Sequence, residues 1–115
     1  MLIVFTTSCY YDSEERLYPK ISSPCDDVNV TFSTTVTPIL HSCLSCHSTS
    51  NAASSGSGIK LENYADVKVY VLNGKLMGAI KHSSGYVSMP QGGGNLSDCE
   101  INQLQKWIDN GTLNN

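Results

Sequence analysis

The run Cys43-Leu44-Ser45-Cys46-His47 places two thiols and an imidazole within about one turn of backbone. Two thiols with this spacing can bond to the two vinyl groups on one edge of a porphyrin, while the neighbouring imidazole approaches the iron. The C-x-x-C-H pattern is the attachment signature of c-type haem. It predicts one covalently bound haem c, with Cys43 and Cys46 as thioether sites and His47 as the proximal iron ligand.

The same spacing has other uses, because zinc sites and thiol redox pairs also contain two cysteines separated by two residues. A zinc-binding structural module would use Cys43, Cys46 and His47 together with Cys25 or Cys99. Metal analysis separates the two hypotheses, since zinc without iron would exclude the haem.

A haem iron that only transfers electrons needs a sixth ligand. Met89 lies in a Gly-, Ser- and Pro-rich loop, residues 81–95, where core packing is an unusual role for Met, and Pro90 would stiffen the backbone that presents its sulfur. We therefore predict Met89 as the distal ligand, with packing as the alternative. His82 is the competing distal ligand and would give a lower potential, because Met/His ligation raises it. Otherwise, His82 is a surface residue of the loop.

The second nitrogen of the His47 ring needs a hydrogen-bond acceptor that fixes its tautomer. We expect a backbone carbonyl within the segment Ser48–Gly58. That segment is almost entirely Ser, Gly, Ala, Asn and Thr, a composition typical of a mobile surface loop that buries no apolar area.

The N-terminal run Thr-Thr-Ser directly precedes Cys9, as at the cleavage site of a bacterial lipoprotein signal. This resembles a lipobox, although the basic region and most of the apolar region are missing and Thr6 stands where Leu is usual. The resemblance implies a truncated signal remnant (1–9), lipidation of Cys9 and a polar tether (10–27). The alternative is a disordered leader with an unmodified thiol.

The five cysteines can then be divided by use. Cys43 and Cys46 take the haem and Cys9 takes lipid, which leaves Cys25 and Cys99. We expect a disulfide between these two, and such a bond requires an oxidising compartment. The alternative is two unpaired buried thiols.

Length and composition favour one monomeric domain, residues 28–114. Seven Lys+Arg against ten Asp+Glu give a net charge of −3, which argues against nucleic acid as a partner. The longest apolar run near the N-terminus is too short to span a bilayer.

Hydrophobic periodicity predicts an all-α fold of three to four short helices. Ser33 is the expected cap of the first helix, Leu76 to Ile80 forms a short third one, and Ser97 with Glu100 predicts a capping box on the last. The apolar stripes of the three main helices are Val36, Ile39, Leu40 and Cys43; Tyr64, Val67, Val71 and Leu72; and Ile101, Leu104, Trp107 and Ile108.

With the haem motif, Met89-Pro90 and the C-terminal stretch 97–111, the chain resembles small monohaem class I cytochromes c, especially the short c domains of bacterial lipoproteins. The resemblance implies a bundle wrapped around one haem, with Trp107 packed where the first and last helices meet. Two features depart from the family pattern. The small Gly at the helix crossing is not obvious, and no Gly-Pro pair follows His47.

The resemblance implies a respiratory electron carrier rather than an enzyme, located on the periplasmic side or in the cell envelope and attached to the membrane by lipid. Its partners would be redox proteins. Lys60, Lys75 and Lys81 flank the haem loops and could meet an acidic partner, or simply be solvated. The rival is a haem enzyme or gas sensor with an open or labile sixth site.

Overall fold

The computed structural model describes residues 25–92 and 94–115. All regular elements in these two ranges are helices, and neither range contains a strand, which confirms the all-α prediction. Within them, no helix has the length and apolar character needed to cross a membrane. The predictions for residues 1–24, including lipidation of Cys9, lie outside the described residues.

Helix α1 occupies residues 32–47 without interruption, but its hydrogen-bonding pattern changes along its length. A π-helical turn comes first, an α-helical turn second, a 3-10 turn third and an α-helical turn last. These turns are Phe32–Val36, Thr37–Leu40, His41–Cys43 and Leu44–His47. The C-x-x-C-H motif therefore lies in the last two turns of α1, which end at His47.

The cap of α1 is Thr31, whose side chain accepts a hydrogen bond from the Thr34 N–H. The prediction of Ser33 as the cap was wrong, because Ser33 already lies inside the first turn. The first N–H groups of a helix have no partner within the helix. The N–H of Ser33 is one of these, and it donates to the main-chain oxygen of Asn115. The C-terminal end of the chain thus closes the start of α1.

Three short helices follow: α2 (Ala52–Ser55), α3 (Tyr64–Leu72) and α4 (Lys75–Ile80). Helices α3 and α4 are separated by Gly74, whose φ of +77° is the left-handed conformation that glycine adopts readily. Both were predicted, although Leu72 is 72% exposed and does not belong to the buried stripe of α3.

The prediction that the segment Ser48–Gly58 buries nothing was wrong. This segment forms α2, and its residues Ala52 and Gly56 are buried. Small side chains allow this turn to pack closely against the last turn of α1, where larger side chains would not fit. The composition of the segment suggests a mobile loop, because close packing of main-chain atoms cannot be recognised from composition.

Helix α5 (Asp98–Asp109) starts with the predicted capping box, in which Ser97 and Glu100 each accept from the other's N–H. Leu104 and Trp107 on its inner face are fully buried. The buried hydrophobic residues of the core are Val30, Val36, Ile39, Leu40, Leu61, Val67, Val71, Leu76, Ile80, Leu104 and Trp107.

Trp107 packs against α1, as the resemblance implied. Its ring centre lies 5.7 Å from that of Phe32, while Phe32 and Tyr64 meet edge to face at 5.3 Å. The indole N–H donates to the Leu113 carbonyl at 2.9 Å, which satisfies the buried donor. Aromatic contacts therefore join α1, α3 and α5 on one side of the core.

A disulfide joins Cys25 to Cys99 in the first turn of α5. Next to it, the Gln103 side-chain amide donates to the Asp26 carbonyl at 2.8 Å. These contacts, together with those of Asn115, connect residues 25, 26 and 115 to the helical unit.

Candidate cofactor site

A mostly apolar cavity of about 510 Å³ lies between the end of α1, the chain that follows α2, and α3, α4 and residues 85–91. Its volume falls within the range of roughly 300–1,000 Å³ typical of ligand and cofactor sites. Cys43, Cys46, His47 and Met89 all line it. The fold thus brings the C-x-x-C-H motif and the predicted distal ligand to the same cavity.

His47 is buried in the cavity wall, and its Nδ1 lies 2.8 Å from the main-chain oxygen of Ile59. A carbonyl oxygen can only accept, so Nδ1 carries the proton and donates it. This leaves Nε2 as the unprotonated nitrogen able to bind a metal. The acceptor was predicted within residues 48–58. The acceptor is Ile59, one residue beyond that range, because the chain returns to the His47 ring only after α2 has ended.

Two contacts hold the chain close to His47. The Leu61 N–H donates to the His47 carbonyl at 2.8 Å. Gly56 fills the space beside the ring so tightly that a Cβ added there would lie 2.5 Å from the Cys46 oxygen and 2.8 Å from Nδ1 of His47. A side chain at position 56 would therefore displace either the backbone of the motif or the imidazole.

The carboxylate of Glu62 binds the other side of the segment between α1 and α3. Oε2 of Glu62 accepts the main-chain N–H of Thr49 at 2.7 Å. This hydrogen bond to the ionised form holds the pKa of the Glu62 carboxyl below its ordinary value. The chain between α1 and α3 is therefore held at Ile59, Leu61 and Glu62, all on the C-terminal side of α2.

The two cysteines of the motif are free thiols, Cys43 half-buried and Cys46 exposed. Burial raises the pKa of the Cys43 thiol above its ordinary value, so this group is protonated at neutral pH. Across residues 25–92 and 94–115, no three His, Cys, Asp or Glu side chains converge where they could hold one metal ion.

Met89 reaches the cavity from the loop that follows α4. Its side chain is partly buried, whereas residues 84–88 and 90–92 on either side are exposed. His82, the predicted alternative ligand, is exposed and does not line the cavity, and its Nε2 lies 2.9 Å from the main-chain oxygen of Met89. Of the two, Met89 is the one that the fold directs into the site.

The sequence prediction did not assign the aromatic side chains of Tyr70 and Tyr86 to the site, and both line the cavity; Lys75, which was predicted to flank the haem loops, also lines it. The Tyr86 ring lies directly over Gly78 in α4, where an added Cβ would be 2.5 Å from the ring. A glycine inside a helix is a signal of close packing. The glycine at position 78 could therefore have indicated that a bulky group covers α4.

Comparisons of the chain with protein-family models, with curated proteins and with solved structures found no match. The proposed function rests on the chemistry and geometry of this site.

Proposed function

We propose that the protein is a single-electron carrier that holds one covalent haem c in the cavity, within a cytochrome c-like bundle. Cys43 and Cys46 would form the thioethers, His47 would be the proximal ligand and Met89 the distal one. When bound, the haem supplies an iron that alternates between the ferric and ferrous states. The observation that carries the proposal is that these four residues line one apolar cavity although the loop with Met89 is far from the motif in sequence.

The chemistry of the donors favours haem over zinc. A haem takes the two sulfurs at the porphyrin edge and only the imidazole at the iron, so the thiols and the ring need not converge. A structural zinc site needs four converging ligands. The three groups of the motif do not converge, and Cys25 and Cys99 are bonded to each other, so neither supplies the fourth ligand.

The residues of the cavity wall suit an electron carrier. The hydrogen bond to Ile59 orients the His47 ring, and the apolar side chains of Ile59, Leu61, Leu76 and Ile80 exclude water from the site. Met89 as a ligand together with His47 would raise the reduction potential, and with both residues bound the iron would keep no open site for a substrate. Met89 in the cavity wall supports this role over an enzyme or gas sensor.

The disulfide supports the proposed location. Such bonds persist in oxidising compartments, including the bacterial periplasm. A carrier on the periplasmic side or in the cell envelope, anchored through Cys9 and serving redox proteins of a respiratory chain, is consistent with the Cys25–Cys99 bond.

The test is expression of the chain in a host that attaches c-type haem, followed by metal analysis and a pyridine haemochrome assay for thioethers. We expect one iron per chain and two thioether bonds. The variant Cys43→Ser/Cys46→Ser should lose covalent haem, whereas Ser45→Ala, a change between the two thiols, should retain it. Zinc without iron, or colourless protein from a competent host, would refute the proposal.

The oxidised protein should also show the far-red absorption band that the family resemblance associates with Met–iron ligation. Haem without this band, together with binding of carbon monoxide or peroxide at the iron, would favour the enzyme or sensor alternative.

A further inference from the structure

Hydrogen bonds connect both main-chain polar groups of Met89 to residues at the C-terminal end of α4, one to Ala79 inside the helix and one to His82 just after it. The Met89 N–H donates to the Ala79 carbonyl at 3.1 Å, and the Met89 carbonyl oxygen lies 2.9 Å from Nε2 of His82. A carbonyl only accepts, so Nε2 of His82 carries the proton and donates. The backbone that presents the Met89 sulfur is therefore held from both sides.

The Ala79 carbonyl also stabilises the turn that follows α4. The Ala79 oxygen also accepts the His82 N–H at 3.2 Å, so one acceptor binds both His82 and Met89. His82 has a φ of +52°, a left-handed conformation that is uncommon for residues with a Cβ. Strained backbone of this kind persists where the surroundings fix it, and it occurs often at functional sites.

Two further main-chain hydrogen bonds hold the first part of this loop: the Ser83 N–H donates to the Gly78 carbonyl at 2.9 Å, and the Tyr86 N–H donates to the Ser83 carbonyl at 3.2 Å. Residues 84–88 and 90–92 are exposed, and the ring of Tyr86 lies over Gly78 in α4. Met89 itself, further along the loop, is held by two hydrogen bonds to its main-chain groups. One comes from the regular end of a helix, the other from a single side chain.

We infer that His82 is a positioning residue for Met89, which fixes how far the sulfur reaches into the cavity, and is not an iron ligand. This inference rests on the proposed function. With Nε2 committed to the Met89 carbonyl, the imidazole holds the backbone of Met89 near the end of α4, and in the proposed holoprotein this would favour binding of the sulfur over a competing ligand. Loss of His82 would weaken Met ligation without altering the helical core.

The test compares His82→Asn with His41→Asn in the ferric holoprotein. Asn tolerates the left-handed conformation but is too short to reach the Met89 carbonyl. His41 is exposed on α1 and does not line the cavity, so it is the matched control. Imidazole is titrated as the competitor that displaces Met89 from iron, with the far-red band as the readout. Global unfolding in denaturant is measured in parallel.

We expect His82→Asn to lower the apparent dissociation constant of imidazole by roughly 3- to 10-fold, the effect of one hydrogen bond on an equilibrium. His41→Asn should leave it unchanged. The unfolding midpoint of His82→Asn should stay at or above that of the wild type, since strain is relieved. His82→Gly, which also accepts a positive φ, should behave in the same way.

Unchanged imidazole affinity in both His82 variants would overturn the inference. So would a fall in the unfolding midpoint that accounts for the whole effect, because it would show a structural role only. A wild-type protein with haem but without the far-red band, whose spectrum changes on loss of His82, would make His82 the ligand. Absence of haem from every variant would instead reject the proposed function.

Discussion

Nδ1 of His47 and the main-chain oxygen of Ile59 are joined by a hydrogen bond of 2.8 Å. This bond connects the last residue of α1 to the chain beyond α2. This main-chain acceptor therefore fixes the tautomer and the orientation of the His47 ring. In metal sites, such an outer partner of a His ligand typically affects metal affinity or activity 10- to 100-fold.

Gly56→Ala should disrupt this arrangement. The added Cβ would press on the Cys46 carbonyl and on His47, and backbone cannot move away cheaply. Its φ of −112° suits any residue, so the effect comes from crowding alone. Overpacking of this kind costs about 1–3 kcal/mol. We expect a drop of that size in the free energy of unfolding, measured by chemical denaturation of the holoprotein.

Gly78→Ala is the matched control for that variant. Its Cβ would lie 2.5–2.6 Å from Cγ, Cδ1 and Cδ2 of Tyr86, so a 43% exposed side chain, rather than backbone, would have to move. Ala is also favoured over Gly inside a helix by roughly 0.5–1 kcal/mol. The free energy of unfolding should change by less than in Gly56→Ala. Equal losses in the two variants would contradict the special role of the space beside His47.

Met89→Leu should separate ligation from packing. Met-to-Leu exchange nearly conserves volume and usually costs less than about 1.5 kcal/mol, so the fold should persist. Removal of the sulfur should abolish the far-red band, lower the reduction potential and allow imidazole to bind iron more tightly. Visible spectroscopy and redox titration provide the measurements.

Met77→Leu is the control for the ligand test. Met77 is partly buried, packs against the core and does not line the cavity. Its replacement should leave the far-red band and the potential unchanged. If Met77→Leu abolished the band and Met89→Leu preserved it, the ligand assignment would be wrong.

Reduction of the Cys25–Cys99 disulfide should destabilise the domain. The bond closes a loop over a sequence separation of 74 residues, for which the chain-entropy estimate is roughly 4 kcal/mol. Denaturant unfolding with and without a thiol reductant measures the difference. In the variant Cys25→Ser/Cys99→Ser the reductant should have no further effect, since Cys43 and Cys46 are free thiols in this structure and the proposed thioethers would also resist it. A reductant effect of equal size in that variant would show that another group is responsible.

Glu62 should make stability depend on pH in the acid range. Its pKa is lowered in the folded state by the Thr49 N–H, so its contribution is complete above the ordinary Glu pKa of about 4.3. The contribution is lost as pH falls through the lowered folded pKa. The difference in stability between wild type and Glu62→Gln should be constant near neutral pH and shrink below about pH 4.3. A difference that does not change with pH would contradict this assignment.

The sequence predicted the helices with strong local signals. The capping box of Ser97 and Glu100 and the stripe through Leu104 and Trp107 fix α5, because both depend on residues close in the chain. The cap of α1 was misassigned to Ser33 because the Asn115 carbonyl that binds its N–H lies at the other end of the sequence. Such long-range partners leave no local signal.

In the site, too, residues with a local signal were predicted and those placed by long-range packing were not. The motif indicated Cys43, Cys46 and His47 directly, and the position of Met89 in a loop indicated a fourth member. The acceptor for His47, the space at Gly56 and the cover of Tyr86 over α4 depend on tertiary packing. The groups missed were therefore those that act through position and shape rather than through reactivity.

The Cys25–Cys99 disulfide divides the cysteine sulfurs of the described residues into an oxidised pair and a reduced pair. Closing the first pair consumes an oxidant, whereas the proposed bonds from Cys43 and Cys46 to vinyl groups would require that their sulfurs stay unoxidised. Under that proposal, assembly of one short polypeptide would have to satisfy opposite redox demands. The cell would have to oxidise the ends of the fold while the thiols at its centre stay reduced, and oxidation of those thiols would prevent attachment of the haem.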